Sequence, residues 1–467
     1  MCELAASNLR FGPGATAEVG QDLKDQFHAK RVIVVTDKNV AQLPPMQVLM
    51  ESLVANQMEV TVFQDVRVEP NDSSFRQAIQ FFSETPYDAV VALGGGSVID
   101  TAKAGNLYAT HPPEDFYDYV NPPLGKGLPV PTTKVLPPLI AIPTTAGTGS
   151  ETTGVAIFDD IPTKSKTGIA NRRLKPTLGI VDPNNTKGLP ASVATYSGLD
   201  VLCHAIESFT ALPFHQRPKP SSPIHRPAYQ GSNPISDVWS IFALQTTAKY
   251  LMRAVRHGAD DDEARAKMLL ASAAAGMGFG NAGVHLCHGM SYPIASQVQT
   301  YQPSEGYRGV DHAIVPHGLS VIVNAPAVFS FTGAADPERH TYCARILYAE
   351  RTGEQPASTH LRRDPGEWLA DEIKYLCQDL NVPMGLTTFG YKEEDIHNLV
   401  RREHYRSTEL PSYLHVQLVS KNWSRFFCVP CTNRIRLSTL PILFVRKDPH
   451  DVPRFRLSSR TPPPPPR

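Results

Sequence analysis

Four side chains between residues 200 and 317 have the right chemistry to share one divalent metal: Asp200, His204, His288 and His317. Asp200 and His204 stand four residues apart, so on a helix they occupy one face. His288 and His317 each precede a glycine, and His317 follows Pro316. That context places both at helix starts or turns. One carboxylate and three imidazoles suit Zn2+ or Fe2+. A solvated Asp–His pair is the commoner outcome of such spacing, and His285 and Cys287 stand beside His288 as competitors. On a helix, residue 285 lies nearly a turn back and residue 287 faces elsewhere, which favours His288.

A different chemistry sits upstream. Leu93-Gly94-Gly95-Gly96-Ser97 follows a β-branched apolar run. Bare glycines let backbone amides approach a phosphate, and the helix behind them offers its positive end. A second loop, Thr144-Thr145-Ala146-Gly147-Thr148-Gly149-Ser150-Glu151, offers hydroxyls to phosphate or ribose oxygens. The same residues also start helices. Neither loop is the G-x-G-x-x-G fingerprint, so position after a strand carries the reading. A dinucleotide and a metal on one chain point to hydride transfer at an alcohol carbon.

The elements that must position these groups are legible. Residues 31–37, 89–93 and 139–143 read as short buried strands and 59–63 as another strand, alternating with helical stretches such as 75–82. That pattern predicts βαβ units and a mostly parallel sheet. After Val181-Asp182-Pro183 the strand signals fade, and residues 193–212, 234–255 and 263–279 carry helical periodicity. The expected organisation is a nucleotide-binding α/β domain over 1–183 and an all-helical metal-binding domain over 184–400. Residues 213–234 interrupt the helices as a Pro-rich surface loop.

Composition narrows the class. Forty-five basic residues cancel forty-five acidic ones, which removes the electrostatic case for nucleic acid. Seven cysteines, odd in number and scattered, read as free thiols in a reducing compartment. No apolar run approaches the roughly 20 residues of a membrane span. From residue 401 onward thirteen basic residues face four acidic ones, and the chain ends in five consecutive prolines before Arg467. This tail, 401–467, is expected to be a disordered basic extension. Its Cys428-Val429-Pro430-Cys431 lacks the second pair a metal site needs.

Taken together and in order, these motifs resemble the group III, iron-containing alcohol dehydrogenase family over roughly residues 5–398. Residues 94–103 match its G-G-G-S-x-x-D-x-x-K, with Asp100 and Lys103, and residues 144–151 its T-T-x-G-T-x-x-E. Asp200-x-x-x-His204-Ala205-Ile206-Glu207 matches its D-x-x-x-H-A-x-E. Asn281-Ala282-Gly283, His288-Gly289-Met290 and Pro316-His317-Gly318 complete the pattern. The resemblance implies a dehydroquinate synthase-like architecture with the active site between its two parts. It implies a metal on Asp200, His204, His288 and His317. It implies NAD contacts at Gly95, Gly96, Ser97, Thr144, Thr145, Thr148 and Lys166, with Asp37 on the adenosine ribose favouring NAD over NADP.

Within the family, residues 226–237 and 278–293 resemble a mitochondrial branch that couples two small acids. It oxidises 4-hydroxybutyrate to succinic semialdehyde and reduces 2-oxoglutarate to 2-hydroxyglutarate through bound NAD. The location rests on this resemblance, since Met1 to Ser7 reads as neither a signal nor an Arg-rich transit peptide. Two carboxylate substrates call for a cation in the cleft, and Arg217 and Arg226 are candidates. Tyr292 stands where many members have a second histidine near the substrate. The alternatives are an ordinary NAD-dependent metal alcohol dehydrogenase, a related polyol or phospho-sugar enzyme, or an inactive splice-type variant. Small-molecule hydroxyacids and oxoacids are the expected partners, with no nucleic acid or membrane, and a homo-oligomer stays open.

Overall fold

A computed structural model describes residues 2–223 and 226–399. The basic tail over 401–467, with Cys428 and Cys431, lies outside the described residues. The α/β part holds eight strands: β1 (Leu9–Phe11), β2 (Arg31–Val35), β3 (Glu59–Phe63), β4 (Ala89–Gly94), β5 (Leu139–Pro143), β6 (Val155–Asp160), β7 (Ser165–Ala170) and β8 (Leu178–Val181). Six form one parallel sheet in the order β1-β8-β5-β4-β2-β3, and β6 and β7 form a separate antiparallel pair. Helices α1 (Val19–Asp25) and α2 (Pro44–Ala55) cover one face; α3 (Asp72–Glu84) and α4 (Gly96–Thr110) cover the other.

The β-branched runs form central strands because both of their faces are buried. Val32 and Val34 enter the core with Leu49 and Leu53, while Ile33 and Val35 enter the opposite core with Phe82, Val98 and Ile99. This double burial explains the near-continuous apolar sequence. Three elements lacked such a signal. β1 is three residues long at an edge, β6 alternates between half-buried and buried positions, and β7 buries a stretch holding Lys166, Thr167 and Gly168 rather than an apolar run.

The helical part contains α5 (Ala191–Thr210), α6 (Pro234–His257), α7 (Asp262–Ala282), α8 (Leu286–Ser296), α9 (His317–Ile322), α10 (Ala325–Thr332), α11 (Pro337–Thr352) and α12 (Pro365–Asp379). Local chemistry sets several starts. Asn233 accepts from the Ser236 amide ahead of Pro234, and Asp261 accepts from the Ala264 amide. One large core joins these helices and includes Cys203, Cys287, Cys343 and Cys377, all free thiols. No helix among the described residues is long and apolar enough to cross a membrane.

α9 lies against α5 at closest range beside Gly318. A Cβ at Gly318 would overlap the Tyr196 carbonyl oxygen and stand 3.0 Å from Asp200 Cβ. The bare glycine therefore sets how near residue 317 comes to residue 200. Gly318→Ala should force the two helices apart and lower stability by about 1–3 kcal/mol. A urea midpoint equal to that of the unaltered chain would show that this contact yields without cost.

Candidate active site

α5 presents Asp200 and His204 one turn apart, each side chain only 3% exposed. His204 Nδ1 stands 3.8 Å from Asp200 Oδ2. The His204 ring lies between two others: Phe279 of α7 at 4.1 Å and 9°, and His288 of α8 at 4.4 Å and 24°. His288 Nε2 is 3.3 Å from Asp200 Oδ1, and His317 Nε2 is 3.8 Å from the same oxygen. His317 opens α9 and is 26% exposed, so it marks the accessible side of the cluster.

The sequence-predicted metal residues thus converge on one carboxylate. Ligand atoms of Asp200, His204 and His288 all lie within 4.8 Å of one another. Asp200 Oδ1, His204 Nδ1 and His288 Nε2 are buried without a hydrogen-bond partner among the described residues. An unpaired buried polar atom costs about 1–3 kcal/mol, and three in one place would be a heavy defect. A divalent cation fits this donor set and would satisfy all three atoms at once.

The charges are arranged accordingly. Burial opposes ionisation of Asp200, but His204 and His317 outweigh it and hold the carboxyl below the usual range. Burial pulls His204 down to about 3 in spite of Asp200, which leaves its ring neutral and able to ligate. Burial likewise lowers His317. His288 goes the other way. Burial works against its charge, yet Glu207 and Asp200 push it up to about 10.

Glu207 has a larger part than its place in the motif suggested. It is fully buried on α5, one turn beyond His204. Its Oε1 accepts from the amides of His285 (3.0 Å) and Cys287 (2.8 Å), and its Oε2 pairs with His288 Nδ1. One carboxylate therefore holds the α7–α8 turn and orients the His288 ring. His288, then His285, hold Glu207 down to about 2 against the effect of burial. The spacing contains the signal, since residues 200, 204 and 207 repeat along one helical face. His285 is excluded as a ligand by its place as the α8 cap, with Nε2 on Thr210 Oγ1 at 3.0 Å.

On the nucleotide side, β4 ends at Gly94 and α4 starts at Gly96. The Thr144 amide donates to Gly94 O at 3.1 Å and ties the two loops together. A Cβ on Gly96 would stand 2.8 Å from Thr148 Oγ1, and one on Gly95 3.3 Å from Thr145 Oγ1. The glycines thus leave amides open beside threonine hydroxyls, a surface suited to pyrophosphate. Asp100 and Lys103 are clamps behind it. Lys103 Nζ donates to Ser150 Oγ (2.7 Å) and Val155 O (2.8 Å), and Asp100 accepts from Ser150 Oγ and the Ile157 amide.

Asp37 closes the turn after β2. Its Oδ1 accepts from the amides of Asn39 (2.9 Å) and Val40 (3.0 Å), leaving Oδ2 outside that turn. Lys166 is buried between Glu69 (2.5 Å) and Asp159 (3.3 Å), and the Glu69 amide donates to Ser97 Oγ at 3.2 Å. The spacing of residues gave no hint of Glu69, whose backbone is left-handed at φ 53°. Arg217 and Arg226 hold the 213–234 insertion in place. Arg217 donates to Tyr229 O (3.2 Å) and Arg226 pairs with Glu3 (2.9 Å). Tyr292 lies on α8 one turn past His288. Burial and then the nearby Tyr292 raise the Tyr229 hydroxyl well above its ordinary range. Asn281 accepts from the Ala5 amide at 2.9 Å and anchors the start of the chain.

Comparison with known proteins gives one answer for both halves. Residues 6–183 match the family model described as iron-containing alcohol dehydrogenase, and residues 228–411 match the model for that family's C-terminal part. The mitochondrial hydroxyacid-oxoacid transhydrogenase of Mus musculus is 57% identical over 400 residues, covering 85% of this chain and 83% of its own. The Homo sapiens protein of that name is 56% identical over 400 residues, with the same coverage of both chains. Among solved structures, 1,3-propanediol oxidoreductase superposes with a TM-score of 0.71 at 28% identity, over 86% of this chain and 93% of its own. Sulfoacetaldehyde reductase from Bifidobacterium kashiwanohense, in complex with NAD+, gives 0.65 at 26% identity over 86% and 92%. With both halves matched, the chain belongs to the iron-containing alcohol dehydrogenase family and is a metal-dependent NAD oxidoreductase.

Proposed function

We propose that this chain is a mitochondrial hydroxyacid–oxoacid transhydrogenase. It takes 4-hydroxybutyrate to succinic semialdehyde and 2-oxoglutarate to 2-hydroxyglutarate. The two half-reactions cancel in hydride and proton, so no dinucleotide is consumed. The observation that carries the reading is the trio of buried atoms on Asp200, His204 and His288 that lack a hydrogen bond among the described residues, in a chain 57% identical over 400 residues to a relative of that name.

Asp200, His204, His288 and His317 would hold the cation, and the loops at Gly95 to Ser97 and Thr144 to Thr148 would hold NAD. Bound there, a divalent metal polarises an alcohol or carbonyl oxygen and the nicotinamide carries the hydride. The chain's own residues supply the geometry. Glu207 Oε2 keeps the proton on His288 Nδ1 and so aims Nε2 at Asp200. Phe279 fixes the His204 ring from behind and excludes water there. His317, 26% exposed at the rim, would be the ligand next to an entering acid. Asp37, with Oδ1 taken up by its own turn, would use Oδ2 to accept from a ribose and to repel a 2′-phosphate.

The direct test is incubation with 4-hydroxybutyrate and 2-oxoglutarate without added NAD, with products read by mass spectrometry. Formation of 2-hydroxyglutarate supports the proposal; a strict need for stoichiometric added NAD overturns it. For the metal, His204→Ala and His317→Ala should each bind it tenfold or more weakly and keep NAD affinity. Wild-type metal content with full activity in either variant removes that residue from the ligand set. Glu207→Gln should weaken metal binding about 10–100-fold through the misaimed His288 ring. Unchanged affinity would mean that the ring is held by packing alone. For the nucleotide, Asp37→Gly should narrow the preference for NAD over NADP by about tenfold, equivalent to about 1.4 kcal/mol. Equal binding of both by the unaltered chain would take Asp37 out of that role.

A further inference from the structure

Residues 297–316 join α8, which carries His288, to α9, which begins at His317, and contain no helix or strand. Loops beyond about 12–15 residues without structure of their own are uncommon in compact domains and often functional. This one is tied down along its length. The Ile314 amide donates to Tyr301 O at 2.8 Å and draws the two limbs together. The Tyr301 ring packs on Phe389 at 5.0 Å. Ser192 Oγ, at the start of α5, donates to Glu305 O at 3.1 Å. At the far end, Asn39 Nδ2 donates to Arg308 O at 3.0 Å.

That last contact gives the loop its meaning. Asn39 follows Asp37 by two residues, in the turn that ends β2 at the carboxyl edge of the parallel sheet. β4, the neighbouring strand, ends at that same edge in the glycine loop. Dinucleotides lie along such edges. The loop therefore runs from the metal helices, over the carboxyl edge, to the turn that holds Asp37. Tyr307 is a half-buried residue of this loop. Burial, then Glu69, Tyr196, Tyr301 and Asp200, raise its hydroxyl well above the ordinary range.

We propose that residues 297–316 form a strap over the dinucleotide, latched by Asn39, that retains NAD in the cleft from one hydride transfer to the next. The inference rests on the transhydrogenase reading and deepens it. In such an enzyme the reduced dinucleotide must stay while one small acid leaves and another enters. An ordinary dehydrogenase must let it go. The strap makes this difference a matter of release rate, and the latch is a residue that touches neither the metal nor the reacting carbon.

The experiment uses the full chain with its metal and measures NADH dissociation by stopped-flow displacement. In Asn39→Ala the release rate should rise about three- to tenfold, as loss of one neutral hydrogen bond predicts, with metal content unchanged. Adding Ser192→Ala, which frees the Glu305 anchor, should raise it further by a similar factor. On the unaltered chain, NADH should slow hydrogen exchange in 297–316 more than in α11. The strap is overturned if both variants release NADH at the original rate, or if 297–316 exchanges equally with and without NADH. It is also overturned if metal is lost in step with faster release, which would make the loop a brace for His288 and His317 only. Neither readout needs turnover, so a chain that failed to couple the two acids would refute the transhydrogenase reading and leave the strap to be judged on release and exchange.

Discussion

Asp200, sealed from water and facing three imidazoles, is the constraint around which the helical part is built. A carboxylate in that position is tolerable only if its charge is met. His288, pushed up to about 10 with its Nε2 3.3 Å from Asp200 Oδ1, meets part of it, and that oxygen still has no hydrogen-bond partner among the described residues. The surrounding structure is a set of devices for keeping those rings in place. Phe279 backs His204, Glu207 grips His288, and the bare Gly318 lets α9 come close enough to deliver His317. Each device is on a different helix, so the site is as rigid as the core that joins α5, α7, α8 and α9.

Glu207 shows how one buried charge can organise several elements. Its two oxygens collect the amides of an α7–α8 turn and the Nδ1 of a ring on α8. A carboxylate held down to about 2 remains charged throughout the physiological range. Its contribution to stability is present above its unfolded pKa and fades only as pH falls toward the folded one. The turn and the ring orientation are thus set by the same group and are lost together.

Between the metal cluster and the nucleotide loops lies a second buried charge group, Glu69, Lys166 and Asp159. Burial alone would discharge Lys166, and the two carboxylates reverse this and raise it. Glu69 also reaches the glycine loop through the hydroxyl of Ser97 and lies in the field of His317. Glu69 makes these contacts from a left-handed backbone that carries a conformational cost.

Much of this was written in local patterns. β2, β4 and β5 were legible because strands buried on both faces must be apolar throughout, and the helical part because its periodicity is long. Asp200, His204, His288 and His317 could be named from their types and contexts, and the glycine loop from its place after β4. Local sequence could not show distance. It gave no measure of how far 288 and 317 lie from 200, or that Glu207 faces His288 across 81 residues. Nor did it show that Asp100 and Lys103 serve as clamps, that Arg226 is engaged by Glu3, or that residues 297–316 reach Asn39. Those contacts are made between elements remote in sequence, where hydrogen bonds and close approach depend on packing, and only the tertiary structure brings the partners together.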